Sequence, residues 1–399
     1  MVKKPSQHHA NIPLHRNPRV RAVVFQVVAI SLLLWFLSII AGNTVSNMAE
    51  RGITVGLNFM GQVAPFEIGY TPFWDYELGV SKYWEVLVVG IQNTIFVSIF
   101  GVFAATFLGF IIGILRLSPN WLVRKMASAY VETFRNIPLP LWIFFWYVAV
   151  FLPILPPPRD SFILGAGFFL NKEGLYTPKP LIENSVTASI FFILLLALVV
   201  GLFYLRRWAK KRQDATGEIF PFASTAFAAL LIIPVVLFYA LGSPLHLEYA
   251  EMGKFIMTGG INLNFSFFVL WFALTVYTAA YIGENVRAGI LAVSRGQSEA
   301  AHSLGIRHTP TLRLVVIPQA MRVIIPPTIS QFLNLTKNSS LAVIVAYEDI
   351  VNVFAGVALN NTGQALPIIA ITVLLYGTLS LGTSAILNWY NKRVQLTER

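Results

Sequence analysis

The chain has 399 residues, 56% of them apolar and only 12% charged, with a mean hydropathy of +0.67. A soluble domain carries about a quarter charged residues, so this chain could not cover its own surface in water. The net charge of +11 does not point to nucleic acid, because the basic residues gather at the ends of apolar runs, and the lack of cysteine excludes disulfides, thiolate metal sites and cysteine nucleophiles.

Several apolar runs exceed the ~18 residues that span a bilayer core. In chain order they predict eight transmembrane helices near Val20–Ala41, Trp84–Leu115, Val123–Leu155, Asn184–Leu205, Phe220–Leu241, Asn264–Ala292, Pro327–Tyr347 and Ala365–Trp389. The residues before Val20 are too polar for a signal-peptide core, so the first run reads as an uncleaved span. His8 and His9 lie side by side in this polar tail and carry no metal assignment. The third run is interrupted by Arg135, Pro138 and Pro140, and only Leu139–Leu152 is uniformly apolar. The fold class is all-α integral membrane.

Orientation follows from the Lys and Arg of the short loops. One side collects Lys3, Lys4, Arg16, Arg19 and Arg21, then Arg116, Arg124 and Lys125, then Arg206, Arg207, Lys210, Lys211 and Arg212. Arg295, Arg307, Arg313, Lys392, Arg393 and Arg399 fall on the same side. Eight spans with both termini cytoplasmic satisfy every loop. The loops on the other side (Gly42–Tyr83, Pro156–Glu183, Gly242–Ile261) are longer and rich in Gly, Pro and aromatics. They read as interfacial segments or a docking surface, or as plain connectors with aromatic anchors. The Arg206–Arg212 cluster is first a topology signal and second a candidate contact for anionic lipid. Aromatics such as Trp142 and Trp146 read as core or interface-belt residues.

Arg295–Pro327, between the sixth and seventh runs, is too patterned for a turn. Ser294 or Ser298 can cap a helix, Glu299–Leu304 is strongly helix-forming, and Gly305 suits the residue after its end. A second amphipathic piece, Thr309–Ile317, is expected to end at Pro318. Ala300 and Ala301 on one face would permit close approach to a partner, with Glu299 available for a cap or an ion pair. The alternative is an interfacial amphipathic hairpin with no partner.

Charges within spans are costly and therefore functional candidates. Lys337 lies ten residues beyond Pro327, or ~15 Å along a helix, near the expected midplane. With Asn334, Thr336, Asn338, Ser339 and Ser340 it forms a polar patch that suits a cavity better than lipid. It could hold a carboxylate, pair with a helix-end carbonyl, or snorkel. Glu284 and Arg287 can pair at i, i+3, or Glu284 can face a substrate ammonium. Glu132 and Arg135 share that spacing, and Arg135-Asn136-Ile137-Pro138 should break its helix and expose backbone groups.

The long cytoplasmic segment resembles the EAA loop of ABC importer permeases: E-A-A, three residues, Gly, nine residues, then I-x-L-P. Here Glu299, Ala300 and Ala301 precede Gly305, and Val315, Val316, Ile317 and Pro318 close it at the same offsets, with Val315 and Ile317 as aliphatic swaps. The pieces Gly90–Ser98, Glu132–Tyr147, Tyr281–Ala301, Leu304–Pro327 and Asn334–Val343 are similar to the polar amino-acid permeases that serve His, Arg, Gln, Glu and opines. Asn136-Ile137 stands where that family usually has Gly-Thr. With one added first helix and one added pair, the chain is most similar to the Q-type subunit of general L-amino-acid uptake systems.

The resemblance implies a type I ABC importer transmembrane domain in the bacterial inner membrane. Residues 1–83 would form the tail, first helix and outer loop, 84–155 and 264–399 the permease core, and 156–263 an insertion of outer loops and a helix pair. The loop 294–318 would dock into the ATPase subunits through Glu299, Ala300, Ala301, Gly305, Val315, Ile317 and Pro318. Lys337, Asn334, Asn338, Ser339, Glu284 and Arg135 are the substrate-pathway candidates. Implied partners are a second homologous permease as a heterodimer, two ATPase copies that bind ATP and Mg, a periplasmic amino-acid-binding protein and membrane lipid.

No G-x-x-x-x-G-K-[ST] sequence occurs: Gly253-Lys254 is followed by Phe255, and Glu248 stands at the first glycine position. The expected role is therefore a non-catalytic transport subunit that binds no cofactor itself. A stand-alone, gradient-driven secondary transporter and a membrane-embedded scaffold are the competing classes. The first leaves the Glu299–Pro318 segment unexplained, and the second leaves the Asn334–Ser340 patch unexplained.

Overall fold

The computed structural model describes residues 18–50, 56–253 and 257–394. Lys3, Lys4, His8, His9, Arg16, Lys254 and Arg399 lie outside the described residues. The apolar runs are helical, because in hydrocarbon each backbone N–H and C=O must be satisfied within its own segment.

The helices are α1 (Pro18–Glu50), α2 (Tyr83–Leu115), α3 (Trp121–Asn136), α4 (Leu139–Ile154), α5 (Ser185–Thr216) and α6 (Phe222–Ala240). They continue as α7 (Phe265–Leu291), α8 (Arg295–Ser303), α9 (His308–Val345), α10 (Ile350–Thr362) and α11 (Ala365–Val394). Among the described residues seven helices are long and apolar enough to cross a membrane, or eight when α3 and α4 count as one broken span. Eight is the number that leaves both termini on one side.

The first and fourth predicted spans run on as helix to Glu50 and Thr216, the latter through the Arg206–Arg212 cluster, and two others differ in kind. The third is two helices bent by 109° at Ile137 and Pro138. Ile137 adopts extended backbone, as a residue before proline does, and Pro138 is extended in turn. The seventh does not start at Pro327. It runs from His308 as a turn of α-helix, a wider π stretch over Leu312–Val316, and α-helix through Asn338, then tightens to 3-10 geometry over Ser339–Val345. Pro318 therefore ends nothing. It sits in the first turn after the π stretch, while Pro326 and Pro327 lie inside the helix.

By compactness the chain divides into two units, 1–93 with 348–383 and 94–347 with 384–399. In the first unit, Phe59, Ile68, Tyr83, Val86, Val89, Val353, Phe354 and Ile368 form a buried core that fastens the outer loop 56–82. Edge-to-face packing of Trp74 on Trp84, with ring centroids 5.7 Å apart, holds the loop's far end.

In the second unit α7 is the central helix, with Leu270, Ala273, Leu274, Ala279, Ala280 and Ile282 fully buried. Glycines set how closely neighbours approach it. A methyl added at Gly113 of α2 would come within 2.6 Å of Val286 and 2.7 Å of the Gly283 carbonyl, and one at Gly109 within 2.6 Å of Ile282. The Gly109–Gly113 pair is the small-xxx-small spacing that lets membrane helices touch along their backbones. α3 and α4 both pack on α7: Tyr130 donates to the Val276 carbonyl (2.5 Å), and Trp146 meets Phe272 edge-on.

The outer segments around α5 and α6 fold into short strands rather than irregular loops. β1 (Phe162–Ile163), β2 (Phe169–Asn171), β3 (Gly174–Thr177) and β8 (Ile261–Asn264) form one antiparallel sheet in the order β1-β2-β3-β8. β4 (Lys179–Ile182) pairs with β5 (Leu245–Glu248), and β6 (Glu251–Met252) with β7 (Met257–Thr258). Gly174↔Asn264 and Lys179↔Glu248 thus knit together the two segments that flank the α5–α6 hairpin. That hairpin is nearly bare: α5 buries only Ala188, Phe191 and Ala209, and α6 buries none.

Candidate functional site

The cytoplasmic segment is built around one glycine. α8 begins at Arg295, preceded by Ser294 in the cap position without a side-chain cap bond, and Ser298 lies inside the helix. At its end the Gly305 N–H donates to the His302 carbonyl (2.9 Å) and the Ile306 N–H to the Ala301 carbonyl (3.1 Å). This pair of crossed bonds is the Schellman arrangement, and it needs a residue with positive φ. Gly305 has φ +75°. Chain direction then reverses, and Thr311 ties the return by bonding the Arg307 carbonyl (3.0 Å).

The exposed surface of α8 differs from the expected one in one respect. Glu299 and Ala300 are exposed, but Ala301 is buried, so the two alanines do not share an outward face. Consecutive helical residues point about 100° apart, which separates them. Leu304 stands out instead, 80% exposed at the turn. Downstream, Val315 is half-buried, Val316 is buried, and Ile317 and Pro318 are exposed. Gln319 donates to Gln297 (3.2 Å), linking the start of α8 to the helix that follows the turn.

Glu284 on α7 is taken by two guanidiniums. Arg287, one turn on, donates through Nη2 at 2.6 Å and Nε at 3.1 Å, and Arg116 from the end of α2 donates to the same carboxylate. The ion-pair reading of Glu284 is the one this geometry supports. Sequence reasoning counted Arg116 only as a topology marker, since its partner lies 168 residues away. Glu132 and Arg135 form no ion pair with each other or with other described residues. Arg135 lies over the Tyr281 ring, 5.2 Å from its centroid, at the end of α3 where the helix breaks.

Because α9 starts before Pro327, Lys337 falls in the last turn of its α-helical part rather than mid-span. It lies twenty residues past Ile317, or ~30 Å along the helix, about one bilayer-core thickness. A cation there complements the C-terminal end of the helix dipole. The patch around it splits in two. Thr336 and Ser339 are buried and give their hydroxyls to the Phe332 and Thr336 carbonyls, while Ser340 bonds the Lys337 carbonyl. Asn334 and Lys337 are exposed on one face with Ser330, and Asn338 is half-buried.

Two acidic residues that sequence reasoning passed over follow this helix. The Glu348 carboxylate accepts from the N–H groups of Gly69 (2.7 Å) and Tyr70 (2.6 Å), and Asn93 bonds both the Tyr70 and Glu348 carbonyls (2.9 Å each). Burial pushes the Glu348 carboxyl above its usual range despite these bonds. Asp349 is fully buried, caps α10 through the Asn352 N–H (2.8 Å) and accepts from Tyr376 (2.9 Å). Desolvation raises its pKa to about 6. The sequence signal was two adjacent acids in an apolar stretch.

A multi-pass membrane protein that presents a rigidly capped cytoplasmic helix, with polar groups at the far end of the following span, has the anatomy of a transport-system membrane component. Residues 197–396 match the family described as "Binding-protein-dependent transport system inner membrane component", and the chain belongs to this family. It is 44% identical to the general L-amino acid transport system permease protein AapQ of Rhizobium johnstonii, over 96% of this chain and 94% of that protein. It is 43% identical to the putative amino-acid ABC transporter permease protein YhdX of Escherichia coli, over 96% of each chain. It is 40% identical to the glutamate/glutamine/aspartate/asparagine transport system permease protein BztB of Rhodobacter capsulatus, again over 96% of each. The gradient-driven secondary transporter has no counterpart among these relatives.

Proposed function

We propose that this chain is the permease subunit of an ATP-driven ABC importer that carries polar L-amino acids across the inner membrane by alternating access. Likeness to three amino-acid permeases over nearly the whole chain supports the substrate class. The observation that carries the mechanism is the capped α8 with Glu299, Ala300 and Leu304 exposed. A nine-residue helix is marginal alone, so an exposed, stapled one suits a groove on another protein. That protein is a separate ATPase, present twice, which binds ATP and Mg and does the hydrolysis.

A second homologous permease covers the face of α9 that bears Ser330, Asn334 and Lys337. At the outer end of a span a lysine facing lipid can snorkel to the interface at little cost; facing a partner, it lines a path in which an amino-acid carboxylate can be held. Arg135, at the broken helix, and Asn338 belong to the same proposed path, whereas Ser339 supports it through the backbone. Docking of a periplasmic binding protein on the outer segments delivers substrate. An apolar cavity of about 620 Å³ between α2, α7 and the start of α9, lined by Ile114, Ile290, Leu312 and Met321 among others, gives the coupling segment room to shift.

The test is reconstitution of the chain in proteoliposomes with its second permease, ATPase and binding protein. Amino-acid uptake should require ATP and all four components. Uptake by this chain alone, driven by an ion gradient, would refute the reading.

A further inference from the structure

The β1–β2 hairpin stands out on the extracytoplasmic side. From Ser161 to Asn171 the sequence SFILGAGFFLN holds no charged residue. Phe162, Ile163, Leu164 and Phe168 are 46%, 73%, 61% and 38% exposed. The turn is tight and self-contained: Leu164 N–H bonds the Phe168 carbonyl, and Gly165, Ala166 and Gly167 all have positive φ. Gly167 is pressed against the Tyr249 ring so closely that a side chain there would overlap it. The apolar tip is thus held out by the structure and not left by a loose loop.

The root of this hairpin is tied to the ends of two spanning helices. Lys172 N–H bonds the Pro156 carbonyl (3.0 Å), two residues past the end of α4. The Glu173 carbonyl accepts from Phe265, the first residue of α7 (3.1 Å). β2 is three residues long and Ile163 pairs with its far residue Phe169, so Phe162 and Ile163 lie within ~10 Å of that root at ~3.3 Å per residue, with the turn 164–168 just beyond. The headgroup layer beyond each face of the hydrocarbon core is ~5–8 Å deep. That reach is comparable to the headgroup depth, so a tip rooted at these helix ends is within range of the bilayer surface. Aromatic and aliphatic side chains without charges suit that depth, whereas a reversibly docking soluble partner calls for polar rim groups.

We propose that the β1–β2 hairpin inserts Phe162, Ile163 and Leu164 into the outer leaflet of the membrane as an interfacial anchor for the extracytoplasmic sheet. Its occupant is phospholipid acyl chain and glycerol backbone. This anchor would hold the sheet at a fixed height above the α5–α6 hairpin, whatever solute the protein carries, so the inference stands apart from the proposed substrate.

The lack of native cysteine makes the test direct. Ile163→Cys and Leu164→Cys, nitroxide-labelled in the complete complex with cysteine-free partners, are reconstituted in phosphatidylethanolamine/phosphatidylglycerol vesicles. Collision with oxygen and with a water-soluble nickel chelate is then compared with Lys179→Cys and Glu251→Cys, exposed polar sites on the same subdomain. The oxygen-to-nickel ratio should be severalfold higher at 163 and 164 than at 179 and 251. Equal ratios at all four sites would overturn the proposal. So would shielding of 163 and 164 from both reagents that is lost when the binding protein or second permease is omitted, since that outcome identifies a protein partner.

Discussion

Gly305 offers the sharpest test of the coupling segment. Its φ of +75° lies in the left-handed region, and no atom stands within 4 Å of where a Cβ would sit. A substitution there meets no clash, so its effect is a pure backbone penalty. Alanine should cost about 1 kcal/mol and valine about 2 or more, while asparagine, which tolerates this conformation, should cost a few tenths. α8 has nine residues, and two crossed hydrogen bonds at Gly305 and Ile306 close its end. A helix that short has little stability of its own. A penalty of about 1.4 kcal/mol would lower the capped population tenfold relative to uncapped forms. In proteoliposomes holding the complete complex, amino acid carried per ATP hydrolysed should fall in the order Gly, Asn, Ala, Val, with membrane insertion unchanged. Equal coupling in all four, or asparagine as poor as valine, would refute the argument that the positive φ sustains the docking helix.

Other residues give independent checks. Gly113→Val forces a side chain onto Val286 and the Gly283 carbonyl; the overpacking should destabilise the protein by about 1–3 kcal/mol, read as a lower thermal midpoint in detergent. Glu284→Gln leaves the Arg116 and Arg287 guanidiniums, 12% and 31% exposed, without their shared charge. Partial exposure keeps the loss to about 2 kcal/mol, and adding Arg116→Gln should recover part of it in a double-mutant cycle. Asp349 binds its proton more tightly when folded, because its pKa is raised from 3.8 to about 6. Its contribution to stability is thus full below about pH 4 and is lost as pH rises through about 6. The thermal midpoint should fall across that window, and Asp349→Asn should flatten the fall.

Glu299→Gln removes a charge that is exposed and free of any ion pair among the described residues. The folded state should be unaffected within about 0.5 kcal/mol, as for a surface substitution. ATP-coupled uptake should nonetheless drop, and a drop in thermal midpoint instead would assign Glu299 a structural role.

Much of this molecule is local chemistry, and so the sequence by itself determined it. Apolar runs longer than a bilayer must be helices, Lys and Arg mark the cytoplasmic side, and Gly305 after a helix-forming run makes a C-terminal cap. The break at Pro138 was legible for the same reason: proline acts on its immediate neighbours. Tertiary structure decided what depends on distant residues. Arg116 and Glu284 are read as partners only once α2 and α7 cross, and that crossing rests on glycines whose role appears when Ile282 and Val286 press against them. The outer strands are two to four residues long, too short for alternation to register, and most of their pairing is between segments separated by the α5–α6 hairpin or by a turn. Pro318 and Pro327 misled because the helix continues through both, Pro318 falling in the first turn after a π stretch, and that continuation is not written in the proline itself. The position of Lys337 moved with that correction, from the middle of a span to its outer end.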